Sequence, residues 1–143
     1  MTKILLILHV LAAIVAIGPV TVAASMFPAA ARRAGNSDQL GVLHRICRVY
    51  AAVGIAVPVF GFATAGAMRV MGDPWVIVSI LLTAAAAGVL ALLILPRQNQ
   101  ILAAGTPVPA LSARLAMHTG VFNLLWATVT VLMIVRPGST TGA

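Results

Sequence analysis

Hydrophobic positions in this chain neither alternate nor recur in narrow stripes; they run on. Ile4–Phe27, Tyr50–Met68, Trp75–Leu95 and Leu115–Val135 are four apolar runs with no Asp, Glu, Lys or Arg inside any of them. A helix needs roughly 20 apolar residues to cross the hydrocarbon of a bilayer, and each run is of about that length. The pattern predicts an all-α protein, a four-helix transmembrane bundle of up-down-up-down topology. Its spans cover about 4–27, 50–68, 75–95 and 115–135. The connecting segments are too short to hold a second domain, so residues 1–143 read as one integral membrane domain.

Composition agrees. Hydrophobic residues make up 62% of the chain and charged residues only 8%, whereas soluble domains carry about 25% charged residues. The net charge is +7, from nine Lys and Arg against Asp38 and Asp73. These basic residues flank the apolar runs, where anionic lipid headgroups are the expected partner. No basic stripe with interleaved aromatics occurs, which argues against nucleic acid.

Four spans return the C-terminus to the face on which the chain starts. Call that face A. It carries Lys3, Arg69 and Arg136, while face B carries Arg32, Arg33, Arg45, Arg48, Arg97 and Arg114. Cytoplasmic loops carry the Lys and Arg excess, so face B is expected to be cytoplasmic in a bacterial inner membrane, with both termini extracytoplasmic. The first run resembles a signal peptide in having Lys3 before it and small residues at Ala23, Ala24 and Ser25. It is longer than a signal core and is followed by Arg32 and Arg33, so a retained span is expected.

Between spans one and two, Gly35, Asn36, Ser37 and Asp38 predict a turn, with Asp38 as cap of a short helix from Gln39 to Val49. Leu40, Leu43 and Cys47 would form its apolar side, with Arg45 and Arg48 toward the headgroups. Gly72-Asp73-Pro74 predicts a tight turn, with Trp75 at the membrane interface. Pro96–Arg114 reads as a second face B connection broken by Gly105, Pro107 and Pro109. Arg136-Pro137-Gly138 ends span four, and the tail to Ala143 carries disorder signals.

Within the spans, Pro19 and Pro58 predict kinks. Small residues at helical spacing, Ala12 with Ala16, Gly61 with Ala65 and Ala84 with Gly88, predict close helix packing within the bundle or in a homodimer. The histidines are the main candidates for chemistry, because ionisable residues near or within a span are functional candidates. His9 is near face A; His44 and His118 are near face B, at the level of Met26, Cys47 and Met117. Imidazole can hold haem or a metal, and thioether or thiolate sulfur with imidazole suits copper. The simpler reading makes His9 and His118 packing residues and His44 a headgroup-level residue. In span four, Thr119, Asn123, Trp126 and Thr130 share a face, which predicts interhelical hydrogen bonds led by Asn123.

Cys47 is the sole cysteine, so no intrachain disulfide forms. No carboxylate lies in any span, which disfavours proton-coupled transport. Paired carboxylates, a nucleophile–base motif and a phosphate loop are all missing, so enzymatic activity has no positive support.

The opening Leu8-His9-Val10-Leu11-Ala12-Ala13-Ile14 with Gly18, the Arg32-Arg33 pair, the Gly72 and Trp75 turn and the Arg136-Pro137-Gly138 ending together resemble a family of small bacterial four-span membrane proteins of unknown function. The opening is also similar to copper-resistance D-type membrane domains and to the haem-linked bacterial type of protoporphyrinogen oxidase. Those resemblances imply a haem or copper role for His9. The expectation is therefore a binding or accessory component of a bacterial inner membrane, alone, as a homodimer or within a larger complex. A haem- or copper-handling protein is the alternative, and a small transporter or channel along the Asn123 face the weaker one.

Overall fold

A computed structural model describes residues 2–33, 37–105 and 107–137. The turn expected at Gly35 and Asn36 and the tail from Gly138 lie outside the described residues. The remainder is helical: α1 Thr2–Ala31, α2 Ser37–Val53, α3 Ala56–Met68, α4 Pro74–Gly88, a π-helical turn Val89–Ile94, α5 Leu95–Ala104 and α6 Pro109–Val135. These group into four rods long and apolar enough to cross a membrane, Thr2–Ala31, Asp38–Met68, Pro74–Ala104 and Pro109–Val135. The protein is an all-α four-helix bundle.

All four rods outrun the spans expected from the apolar pattern, and the middle two change the picture most. Each of these is 31 residues long, roughly 46 Å at 1.5 Å per residue, against about 30 Å of hydrocarbon. The surplus lies at face B, where the first half of α2 packs against α5. The third rod was expected to end at Leu95. It continues because Pro96 falls in the first turn of α5, directly after the π turn, in which the Leu95 N–H reaches back five residues to the Leu90 carbonyl. A wide turn of this kind absorbs the register change that a missing proline N–H imposes. The helix stops at Gly105, whose φ of 69° is the left-handed conformation that glycine tolerates. Asp38 lies inside the first turn of α2 rather than capping it, where its charge still opposes the helix dipole.

Proline acts differently in the other rods. Helix α1 runs unbroken through Pro19 and Pro28. The second rod breaks at Gly54-Ile55, one turn before Pro58. Pro58 cannot donate to the Gly54 carbonyl, which instead accepts the Val57 N–H at 3.1 Å.

Helix α1 packs on α2, α3 and α6, while α4 packs on α6. The larger buried cluster occupies the face B half, around Phe27, Cys47, Ile94 and Leu115. A smaller one, Val70, Trp75 and Val76, closes the face A end. The outer surface is apolar, with Ile14, Ile55, Leu81, Leu92 and Leu124 all exposed, as a lipid-facing surface requires. Of the small-residue pairs, Ala16 is buried and lies against Gly54, where a Cβ would come within 3.8 Å of its own. Ala84 is exposed and Gly88 has open space beside it. That pair therefore lines no seam within the bundle; buried Ala86 does.

Candidate functional site

The polar side chains divide into three groups, at the face A half, in the α1–α6 seam and at the face B end. In the face A half, from Thr2 to Val15, His9 is the one buried residue of α1. Its Nδ1 donates to the Val57 carbonyl at 2.8 Å, next to Pro58. The imidazole therefore staples α1 to α3 where little else is buried. Farther toward the face A end, Trp75 is buried. Its indole N–H donates to Asp73 Oδ2 at 3.2 Å, and the Arg136 guanidinium sits 5.6 Å from its ring centroid, within cation–π range.

The α1–α6 seam carries the expected polar face. Asn123 Nδ2 donates to Ser25 Oγ on α1 at 3.2 Å, so the interhelical bond exists. Around it, Thr21 Oγ1, Thr119 Oγ1, Asn123 Oδ1 and Trp126 Nε1 are buried without a hydrogen-bond partner. Thr130 departs from expectation: it is exposed and donates to the Trp126 carbonyl of its own helix at 2.9 Å. A hydroxyl that returns to the i−4 carbonyl needs no neighbouring helix.

At the face B end, His44 is buried on α2. Its Nδ1 lies 2.7 Å from Gln98 Oε1 on α5, and Gln98 Nε2 lies 3.5 Å from Cys47 Sγ. Gln98 is fully buried and holds both α2 side chains at once. His44 Nε2 is buried and has no partner. Beside it opens a groove of about 590 Å³ lined by Gly41, His44, Arg45, Arg48 and Val49. Those positions recur at three- and four-residue steps and share one helix face.

Among the described residues, no three His, Cys, Asp or Glu side chains assemble in a geometry that could hold a metal. Met26 and Met117 are exposed, whereas Cys47 is buried. His118 Nδ1 is buried without a partner, so no hydrogen bond ties it to His44. His9 is engaged with α3 instead.

Sequence reasoning missed Gln98, placing it in a loop after Pro96. The signal was present: Ile94, Gln98 and Ile101 stand at i, i+4 and i+7, and all three are buried. No family model, curated protein or solved structure matches this chain. What fold and site define together is a class: a multi-pass four-helix membrane bundle whose polar, basic end lies at face B.

Proposed function

We propose that this chain is a binding or accessory component of a bacterial inner membrane, with its binding end at face B. That end is the arginine-rich and, by the charge rule, cytoplasmic side. The observation that carries the reading is the groove at His44, Arg45 and Arg48, backed by the buried Gln98–Cys47 pair. Much of the remaining surface is apolar and suited to lipid, and the other polar groups described above are turned into helix packing. The groove is where a cationic surface remains open to a ligand.

The test is site-directed thiol labelling in a Cys47→Ala background. Gly72→Cys on face A is expected to react with a membrane-impermeant maleimide in intact cells, and Asn99→Cys on α5 only after permeabilisation. The reverse pattern would put the groove on the outer side and end the proposed cytoplasmic binding role. An absorption spectrum and metal analysis of the same purified protein checks the haem or copper alternative: a Soret band or stoichiometric copper, lost in His9→Ala, would replace the binding reading.

A further inference from the structure

We infer that the bundle carries a transverse hinge, about which α3 and the first half of α1 swing as one lever against a frame of α4 and α6. The second rod changes helix type at this hinge. The Ile55 N–H donates to the Ala52 carbonyl at 3.2 Å and the Val57 N–H to the Gly54 carbonyl at 3.1 Å, each three residues back. The next bond, from the Val59 N–H to the Ile55 carbonyl, is stretched to 3.5 Å. A 3₁₀ stretch inside a helix marks a place that bends readily, because its bonds are tight and poorly aligned. Pro58 has no N–H with which to restore the α pattern. Helix α1 is weakened beside it: Pro19 leaves the Val15 carbonyl without its helical donor. The two weak points meet, since a Cβ on Gly54 would stand 3.8 Å from that of Ala16.

Toward face A from the hinge, the two helices are fastened to each other. Helix α3 packs most extensively on α1. Among the described residues, Thr64 is the one buried side chain of α3, and its hydroxyl returns to the Phe60 carbonyl of its own helix at 2.7 Å. His9, the one buried residue between Thr2 and Val15, is committed to Val57 and Gly61 of α3. The frame is fastened separately. Helix α4 packs on α6, which runs unbroken from Pro109 to Val135. Arg136 at the end of α6 covers the ring of Trp75 at the start of α4. Segments with few buried contacts open at the lowest cost, so the lever is the part that moves.

Lever and frame meet at the face A tip. Val70, just past α3, is buried against Trp75 and Val76, and Ala65 and Met68 of α3 pack on the same cluster as Met133 of α6. This small apolar seal is the latch. The 13 residues of α3 form an arm of roughly 20 Å, so a bend on the order of 20° at its base carries the tip by roughly 7 Å. That displacement parts the latch, and packed seals have closed and open states rather than a continuum. The groove-bearing α2 lies on the other side of the hinge, so the lever and the binding end are separate parts of the molecule.

The experiment measures distances by double electron–electron resonance on the full chain in lipid nanodiscs, in a Cys47→Ala background. Spin labels occupy exposed positions: Ala67→Cys with Ile134→Cys across lever and frame, Ile4→Cys with Ala67→Cys within the lever, and Ile77→Cys with Ile134→Cys within the frame. The pair across the hinge is expected to show a second, displaced distance. Val70→Ala, which empties part of the latch, is expected to raise the ratio of displaced to closed population by about fivefold or more. Adding Pro19→Ala/Pro58→Ala, which restores both N–H donors, is expected to lower that ratio again by about fivefold or more. The two internal pairs are expected to stay single and narrow in every variant, which also reports that the bundle is folded. If the proline variant fails that check, Val70→Ala decides alone. A pair across the hinge that stays single in Val70→Ala, a displaced population unchanged by the proline substitutions in a folded protein, or equal broadening of all three pairs overturns the hinge. None of these outcomes depends on which face is cytoplasmic, which the thiol-labelling pattern decides.

Discussion

The imidazole of His9 rests on the bare backbone of Gly61: a Cβ at that position would stand 3.0 Å from Cε1 and 3.3 Å from Nδ1. The ring is held there by its 2.8 Å hydrogen bond to the Val57 carbonyl, so it has little freedom to retreat. Gly61→Ala is therefore expected to destabilise the protein by about 1–3 kcal/mol through overpacking, reduced by the roughly 0.5–1 kcal/mol that alanine gains in a helix. In a His9→Ala background the obstacle is gone, and the same substitution is expected to be neutral or stabilising. A double-mutant cycle in unfolding free energy checks this, since contacting residues couple and distant ones do not. Additive effects would mean that His9 does not staple α1 to α3.

Gln98 joins α2 to α5 through two side chains. Gln98→Leu keeps the volume approximately and removes both polar contacts. It leaves His44 Nδ1 and Cys47 facing an apolar group, at an expected loss of about 1–3 kcal/mol. Loosening α5 from α2 also exposes the thiol. Cys47, buried in the wild type, is expected to be alkylated faster by a membrane-permeant maleimide in Gln98→Leu. An unchanged labelling rate together with an unchanged melting temperature would count against this coupling.

The fold was legible because lipid removes ambiguity: a 20-residue run without charge has one structural outcome in a bilayer. What the apolar runs could not convey is where the helices end. Gln98, Asn99 and Gln100 are polar, and Pro96 precedes them, so hydropathy places a loop there. The π turn before Pro96 and the burial of Ile101 keep the segment helical instead. The same limit explains the site. His44 and Cys47 stood out from composition, but their shared partner lies 54 and 51 residues away, a pairing that only the packing of α2 on α5 creates. Met117 has the right chemistry at the right level, yet its helical phase turns it outward.

Asn123 makes one interhelical bond and leaves its Oδ1 buried and unpaired. Interhelical hydrogen bonds in membranes are worth about 0.6 kcal/mol on average, whereas an unsatisfied buried acceptor costs roughly 1–3 kcal/mol. Asn123→Leu is therefore expected to leave the melting temperature unchanged or to raise it. A fall equivalent to more than about 1 kcal/mol would show that Oδ1 is satisfied in the membrane. Water bridging Thr21, Asn123 and Trp126 would do so, and deuterium exchange at the Trp126 indole N–H would detect it.

Helix α3 ends on a residue that geometry disfavours. Arg69 has φ 58°, and around it the Arg69 N–H donates to the Gly66 carbonyl at 3.1 Å and the Val70 N–H to the Ala65 carbonyl at 3.0 Å. These two bonds form a Schellman motif, completed by the packing of Ala65 against the cluster that contains Val70. The position suits glycine, because a Cβ in the left-handed region costs roughly 1–2 kcal/mol. Arg69 is exposed and its guanidinium takes no hydrogen bond or ion pair among the described residues. Arg69→Gly is thus expected to stabilise the protein by about 1 kcal/mol, while Arg69→Ala, which keeps the Cβ, gains nothing. Thermal unfolding of both variants in detergent separates the two effects. If alanine matched glycine, the gain would come from removing the arginine's charge or chain entropy, and the left-handed cap would carry no strain.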